Sequence, residues 1–194
     1  MTEKLICEQD GHVVTLTLNM PEARNPLTDH DLCDAILAAM ARISAEQSVR
    51  VAIRTGAGKA FSSGGNLKHM KDKHGTFEGG VVSVKDGYRV GIQRVARAMW
   101  DCEVPLIAAA NGAAYGARCG RTCLPDIRIA PTRATFAENF VNAGPICGEG
   151  GGVAAAASGR PIARGQDAPY RRPRRTPKPR QPGAWSPKLW SPRR

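Results

Sequence analysis

Two glycine-bearing stretches concentrate the chemistry this chain can do. They are Lys59-Ala-Phe-Ser-Ser-Gly-Gly-Asn-Leu-Lys68 and Pro105-Leu-Ile-Ala-Ala-Ala-Asn-Gly-Ala-Ala-Tyr-Gly-Ala-Arg-Cys-Gly120. In the second, Leu106 to Ala110 reads as a short strand buried on both faces. Asn111-Gly112 breaks it, and Ala113, Ala114, Gly116 and Ala117 then carry little side-chain bulk into a helix start. Backbone N–H groups at such a junction point at open space, which suits an anion or a developing oxyanion. Taken singly, the same stretch is equally a closely packed turn. The first stretch changes the balance, because it also follows a strand candidate, Val51 to Thr55, and also puts glycines before a helix. Two loops of this kind can aim two N–H donors at one oxygen.

The elements that must hold these loops follow from patterning. Leu5 to Glu8 and Val13 to Leu18 read as strands around a turn at Asp10-Gly11. Pro21 and Pro26 predict an extended connection. Thr28 is a candidate N-cap, with Asp31 three residues on. Leu32, Ala35, Ile36, Ala39, Met40 and Ile43 then recur at helical spacing, which predicts a helix from Asp29 to about Ile43 with its stripe in the core. Gly56-Ala-Gly-Lys59 is not a phosphate loop, since Ile53 stands where that motif needs its first glycine. Leu67 to His74 predicts a short helix, Gly75 to Gly80 a flexible loop, Asp86 to Met99 one helix, and Asp126 to Ala130 a strand. Alternating strands and helices indicate an α/β fold.

At 194 residues the chain can bury one sizeable core. Its net charge of +11 is misleading until it is located. Almost all the excess lies beyond Gly159, where the only acid is Asp167, so the body is close to neutral. No apolar run approaches a membrane span, and Met1 to Asp10 lacks signal-peptide character, so the expectation is a cytoplasmic protein. Cys7, Cys33, Cys102, Cys119, Cys123 and Cys147 then read as reduced packing residues. Cys119 and Cys123 lack the second ligand pair that a zinc site needs, so no metal is expected.

Five ordered blocks add a resemblance: Pro21-Glu-Ala-Arg-Asn25, Thr55-Gly-Ala-Gly-Lys-Ala-Phe61, Gly64-Gly-Asn-Leu-Lys68, Ala110-Asn-Gly-Ala-Ala-Tyr-Gly116 and Asp126-Ile-Arg-Ile-Ala130. Together they resemble the crotonase, or enoyl-CoA hydratase/isomerase, superfamily over residues 11 to 151. The resemblance implies a spiral of ββα turns, with a C-terminal helical part that shapes the acyl pocket and builds homotrimers or hexamers. It implies an acyl-CoA thioester as substrate, coenzyme A entering as part of that substrate and no separate cofactor. Carried over residue by residue, Gly65 and Ala117 supply the oxyanion N–H pair. Asn66, Leu67 and Lys68 line the coenzyme A site with Gly65; Lys59 and Lys68 lie near its phosphates, and Ala23 and Arg24 touch the nucleotide. The two glutamates of the hydratases are matched here by Gly120 and Phe140. Glu138 lies two residues from the second position, which in an extended segment displaces it by roughly 7 Å. Glu149 sits near the single acid of some isomerases. Arg118 replaces the usual glycine, and Arg121 and Pro125 interrupt an apolar stretch.

The resemblance gives an incomplete core over residues 1–151 and leaves a basic, Pro- and Arg-rich tail over 152–194, whose composition predicts disorder. The tail also resembles an out-of-frame reading of the family C-terminus. Gly152 to Pro161 can be encoded so that a one-base shift yields Ala-Trp-Leu-Leu-Pro-Arg-Arg-Ala-Gly. Asp167 to Pro173 similarly yields Met-Arg-Leu-Thr-Gly-Asp, and a two-base shift of Gly183 to Pro192 yields Gly-Val-Val-Ser-Glu-Val-Val-Val-Ser. Three readings follow: an enzyme of the hydratase/isomerase type, an inactive truncated remnant, or a nucleic-acid binder using Arg171 to Arg180 with Trp185 and Trp190. The last is disfavoured, because the tail has no folded module and no membrane or nucleic-acid partner is needed to explain its composition.

Overall fold

A computed structural model describes residues 3–27, 29–115, 124–131 and 134–137, with the backbone of 174–175. Its strands are β1 (Leu5–Asp10), β2 (Val13–Leu18), β3 (Val51–Gly56), β4 (Ala60–Ser62), β5 (Leu106–Ala109), β6 (Ala113–Tyr115), β7 (Ile127–Ile129), β8 (Thr135–Ala137) and β9 (Arg174–Arg175). Its helices are α1 (His30–Ala45), α2 (Leu67–Lys71), α3 (Val81–Val90) and α4 (Ile92–Trp100), with single 3-10 turns at Pro21–Ala23 and Gly75–Phe77.

Two sheets result, ordered β1-β2-β3-β5-β7 and β4-β6-β8-β9. After the β1–β2 hairpin, each successive strand pair gives its first member to the first sheet and its second to the other. Thus β3, β5 and β7 join one parallel ladder while β4, β6 and β8 join another. This is the repeated ββα winding that the resemblance implies. Gly11 closes the hairpin with φ +54°, in the left-handed region where a glycine costs least.

The main core lies between the first sheet and two helices. Val14, Leu16 and Leu18 of β2, Ala52 of β3 and Leu106 of β5 face Leu32, Ile36, Met40 and Ile43 of α1 and Val95 and Met99 of α4. The period-2 burial of β2 and the 3.6-residue stripe of α1 are the same surface seen from opposite sides. A buried arginine departs from the pattern. Arg54 sits on the inward face of β3, donates from Nη1 to Met99 Sδ at 3.2 Å and lies 5.2 Å from the Phe61 ring centroid. It joins the main core to the small second cluster of Phe61, Ala110 and Ala114.

Several expectations need correction. The Pro21–Pro26 connection is not extended but coils into a 3-10 turn, with Arg24 and Asn25 at φ +59° and +55°. Helix α1 is capped at Asp29, without a side-chain cap bond; Thr28 lies outside the described residues. The single helix expected over Asp86 to Met99 is two helices, broken at Gly91, where a Cβ would sit 3.0 Å from the Gly87 carbonyl oxygen and 3.2 Å from the His30 ring. The loop from Gly75 holds a 3-10 turn, anchored by buried Phe77 edge-on to Tyr88. Strand β5 is buried on one face only, and β6 rather than a helix follows Asn111-Gly112. The tail contributes β9, two residues paired antiparallel with β8, where no regular structure was expected. Among the described residues no helix is long and apolar enough to cross a membrane.

Candidate functional site

Strand β4 runs parallel to β6, with Ala60 opposite Ala113 and Ser62 opposite Ala114 across a bulge. The two glycine loops are therefore neighbours, and the second rests directly on the first. Gly112 is packed against the Lys59–Ala60 backbone: a Cβ there would fall 3.0 Å from the Lys59 carbonyl carbon and on the Lys59 oxygen itself. Gly56 is equally confined, since its Cβ would meet the Phe61 oxygen and lie 2.8 Å from the Ala60 oxygen. Only hydrogen fits at either point. The small residues of the motif are there for backbone-to-backbone packing.

Two asparagines hold this arrangement. Asn111 donates both Nδ2 protons to the Gly56 and Gly58 carbonyls, at 2.7 and 2.8 Å. From the opposite side fully buried Asn25 donates to the Ala57 and Ala60 carbonyls, both at 2.9 Å, and its Oδ1 accepts the Met20 N–H at 2.8 Å. The loop is thus a curl of outward-facing carbonyls satisfied by side-chain amides instead of a sheet ladder. Neither asparagine was singled out from the sequence. Each stands before a turn-former, Pro26 or Gly112, and a turn asparagine gives no sign of which way its amide points.

Beyond β4 the chain folds back on the Pro21–Asn25 turn. Ser63 N–H donates to the Arg24 carbonyl at 2.9 Å, Ser62 Oγ to the Asn25 carbonyl, and Leu27 N–H to the Gly64 carbonyl at 3.2 Å. Gly64 takes φ +89°. Gly65 follows, half-buried, and its N–H meets no hydrogen-bond partner among the described residues. A half-buried N–H with no described partner is open to a ligand oxygen.

Asn66 ends the loop as the N-cap of α2, its Oδ1 accepting from Lys68 N–H at 3.0 Å and His69 N–H at 3.3 Å. Its Oδ1 is thereby engaged in the cap, leaving the Nδ2 donors and the backbone to face a ligand. Ala23, Arg24, Lys59, Leu67 and Lys68 are all exposed. Arg24, Lys59 and Lys68 form no ion pair among the described residues, so the rim of this loop carries cations that no described carboxylate neutralises. Ala117 and Glu149, together with Arg118, Gly120, Arg121, Glu138 and Phe140, lie outside the described residues.

Comparisons with known proteins agree on one family. The family model described as enoyl-CoA hydratase/isomerase matches residues 8–163. The short-chain-enoyl-CoA hydratase of Clostridium acetobutylicum is 33% identical over 150 residues, which cover 76% of this chain and 54% of that one. The probable enoyl-CoA hydratase EchA14 of Mycobacterium tuberculosis is also 33% identical, over 143 residues covering 73% of this chain and 52% of its own. Among solved structures, an enoyl-CoA hydratase/isomerase from Mycobacterium paratuberculosis superposes with a TM-score of 0.71 at 28% identity, covering 80% of this chain and 60% of that one. The chain spans about half the length of the curated relatives it matches.

Proposed function

The chain belongs to the enoyl-CoA hydratase/isomerase family, and from that premise we propose that it is an acyl-CoA-processing protein in which the N–H groups of Gly65 and Ala117 receive the thioester oxygen. The observation that carries this reading is the register of β4 on β6. Ser62 pairs with Ala114 on adjacent parallel strands, and in sequence Gly65 and Ala117 each come three residues further on, past the ends of β4 and β6. Carboxyl ends of neighbouring parallel strands are where α/β folds hold their ligands. The Gly65 N–H, which has no partner among the described residues, supplies one donor.

Removal of a proton beside a thioester pushes negative charge onto the carbonyl oxygen. Preset N–H donors stabilise that charge without reorganising. Exposed Arg24, Lys59 and Lys68 suit the phosphates of coenzyme A, with Ala23 and Arg24 meeting the nucleotide. With Gly120 and Phe140 where hydratases carry glutamates, the two-acid addition of water lacks its residues. A single acid, Glu149, fits isomerisation better: it takes a proton from one carbon as the double-bond electrons shift, then returns it to another. A homotrimer or hexamer in the cytoplasm completes the reading.

The test is crotonyl-CoA hydration and enoyl-CoA isomerisation assayed side by side, with thioester binding by calorimetry. Gly65→Pro deletes one donor. We expect it to raise the barrier by about 3–4 kcal/mol, a 10²- to 10³-fold loss in kcat, with thioester affinity far less affected. Equal losses in kcat and affinity would remove the oxyanion role from Gly65.

A further inference from the structure

We propose that Asn25 is a positioning residue that couples the two ends of the substrate site: a nucleotide seated on the Pro21–Asn25 turn orders the N–H of Gly65 through the Asn25 side chain. The proposal rests on the acyl-CoA reading above for what occupies each end. Its geometry is independent of that reading.

The turn has two sides. Ala23 and Arg24 face outward and are exposed, whereas the next residue, Asn25, is 0% exposed and faces the loop. Arg24 and Asn25 both hold left-handed backbone conformations, so the turn has few ways to relax without turning its inward side as well. Both Nδ2 protons and the Oδ1 of the Asn25 carboxamide are engaged. Its Oδ1 closes the turn on Met20 N–H, and its two Nδ2 protons reach carbonyls 32 and 35 residues away in the chain. The main chain repeats the connection: the Arg24 and Asn25 carbonyls accept from Ser63 N–H and Ser62 Oγ, and Leu27 N–H reaches the Gly64 carbonyl. Six residues of the segment 57–64 therefore answer to the 24–27 turn, Phe61 by a longer 3.5 Å contact to Asn25 Nδ2, and the next residue along is Gly65. Asn111 makes the contrast. It grips the opening half of the same loop at Gly56 and Gly58 and makes no hydrogen bond to the turn among the described residues. Losing Asn111 loosens the loop; losing Asn25 removes the buried side-chain link through which the turn holds Ala57 and Ala60, leaving only the peripheral bonds at Ser62, Ser63 and Gly64.

The experiment is amide hydrogen exchange on the full chain, reading the peptide that spans 61–66 with and without saturating adenosine 3′,5′-bisphosphate, the nucleotide end of coenzyme A. In the unaltered protein the nucleotide is expected to slow exchange in that peptide by about tenfold, within the usual range of coupling between sites. In Asn25→Ala, at nucleotide concentrations that saturate it, the slowing falls below roughly twofold. In Asn111→Ala exchange is faster throughout, yet the nucleotide-dependent ratio survives. A merely architectural asparagine would raise exchange equally with and without nucleotide, leaving the ratio unchanged, and that result overturns the proposal. So does nucleotide binding to the unaltered protein without any protection of 61–66, an outcome that leaves the acyl-CoA reading standing and needs no variant to fold. No nucleotide binding at all overturns the acyl-CoA reading first, and the coupling with it.

Discussion

The two sheets of this molecule are held by different forces. The five-stranded sheet presents alternating apolar side chains to α1 and α4, and Val14, Leu18, Leu32, Ile36 and Ile43 are at most 1% exposed. The sheet of β4, β6 and β8 has strands of three residues, and its described core is Phe61 with two alanines. Its order comes from two glycines pressed on backbone and two asparagines that donate to loop carbonyls. Burial of apolar surface is non-directional and tolerates exchange of similar volumes. Amide hydrogen bonds are directional, and a buried acceptor left without its donor costs the whole desolvation of that group. The first sheet can be stable with its parts slightly displaced. The second holds its loops in one place or fails to hold them.

Truncating the main core should break the contrast most strongly. Ile36→Ala leaves a hole at the centre of the α1–sheet contact and should cost about 3–4 kcal/mol. Urea denaturation would show it as a lower midpoint at unchanged slope, while thioester affinity per folded molecule stays as it was. A large affinity loss in the molecules that remain folded would mean that the core also tunes the loops. Gly112→Ala makes the opposite incision, adding one methyl where only hydrogen fits. The expected stability loss is smaller, about 1–3 kcal/mol, but exchange at 57–65 should rise and thioester affinity fall beyond anything the stability loss explains. A Gly112→Ala protein with full affinity would show that the loops do not need their close approach.

The same division decides what the sequence revealed. Burial writes its period into the chain, so the β1–β2 hairpin, β3 and α1 were legible almost to the residue. Three-residue strands are too short to carry any period. Hence the sequence reads β4 as part of a loop and β6 as the beginning of a helix, and outside the ordered motif blocks it marks Gly112 only as a strand break and Gly56 only within a rejected phosphate-loop motif. The break at Gly91 is invisible for another reason: the apolar stripe from Tyr88 through Met99 continues across it, and only coordinates show a glycine closely packed against the Gly87 carbonyl and the His30 ring. Candidate residues at the loop, Gly65 to Lys68, came from the ordered motif blocks. The amides of Asn25 and Asn111 that position them came only from coordinates.

The weakest expected effect sharpens the comparison by holding bond length fixed. Lys4 Nζ lies 2.8 Å from Asp31 Oδ2 and 3.0 Å from Asp29 Oδ2, distances like those of the Asn25 amide. Yet its side chain is 36% exposed and that of Asp31 is 50% exposed, so water and salt compete for every contact. The hydrogen bond to Asp31, followed by that to Asp29, raises the Lys4 pKa above its ordinary 10.5. The hydrogen bond from Lys4 in turn lowers that of Asp31 below its ordinary 3.8. The Asp31 contribution is therefore present above its ordinary value and fades as pH falls through the lowered folded value. The Lys4 contribution is complete below 10.5 and fades as pH rises through the raised folded value. Lys4→Met should cost less than about 1 kcal/mol at neutral pH, and the difference from the unaltered protein should shrink toward either end of that window and with added salt. The Asn25 amide carries no titratable group and sees no solvent, so its contribution should be flat across the same range. If Lys4→Met instead proved as damaging as Asn25→Ala, burial would not be what separates two hydrogen bonds of equal length, and the account of the second sheet would fail with it.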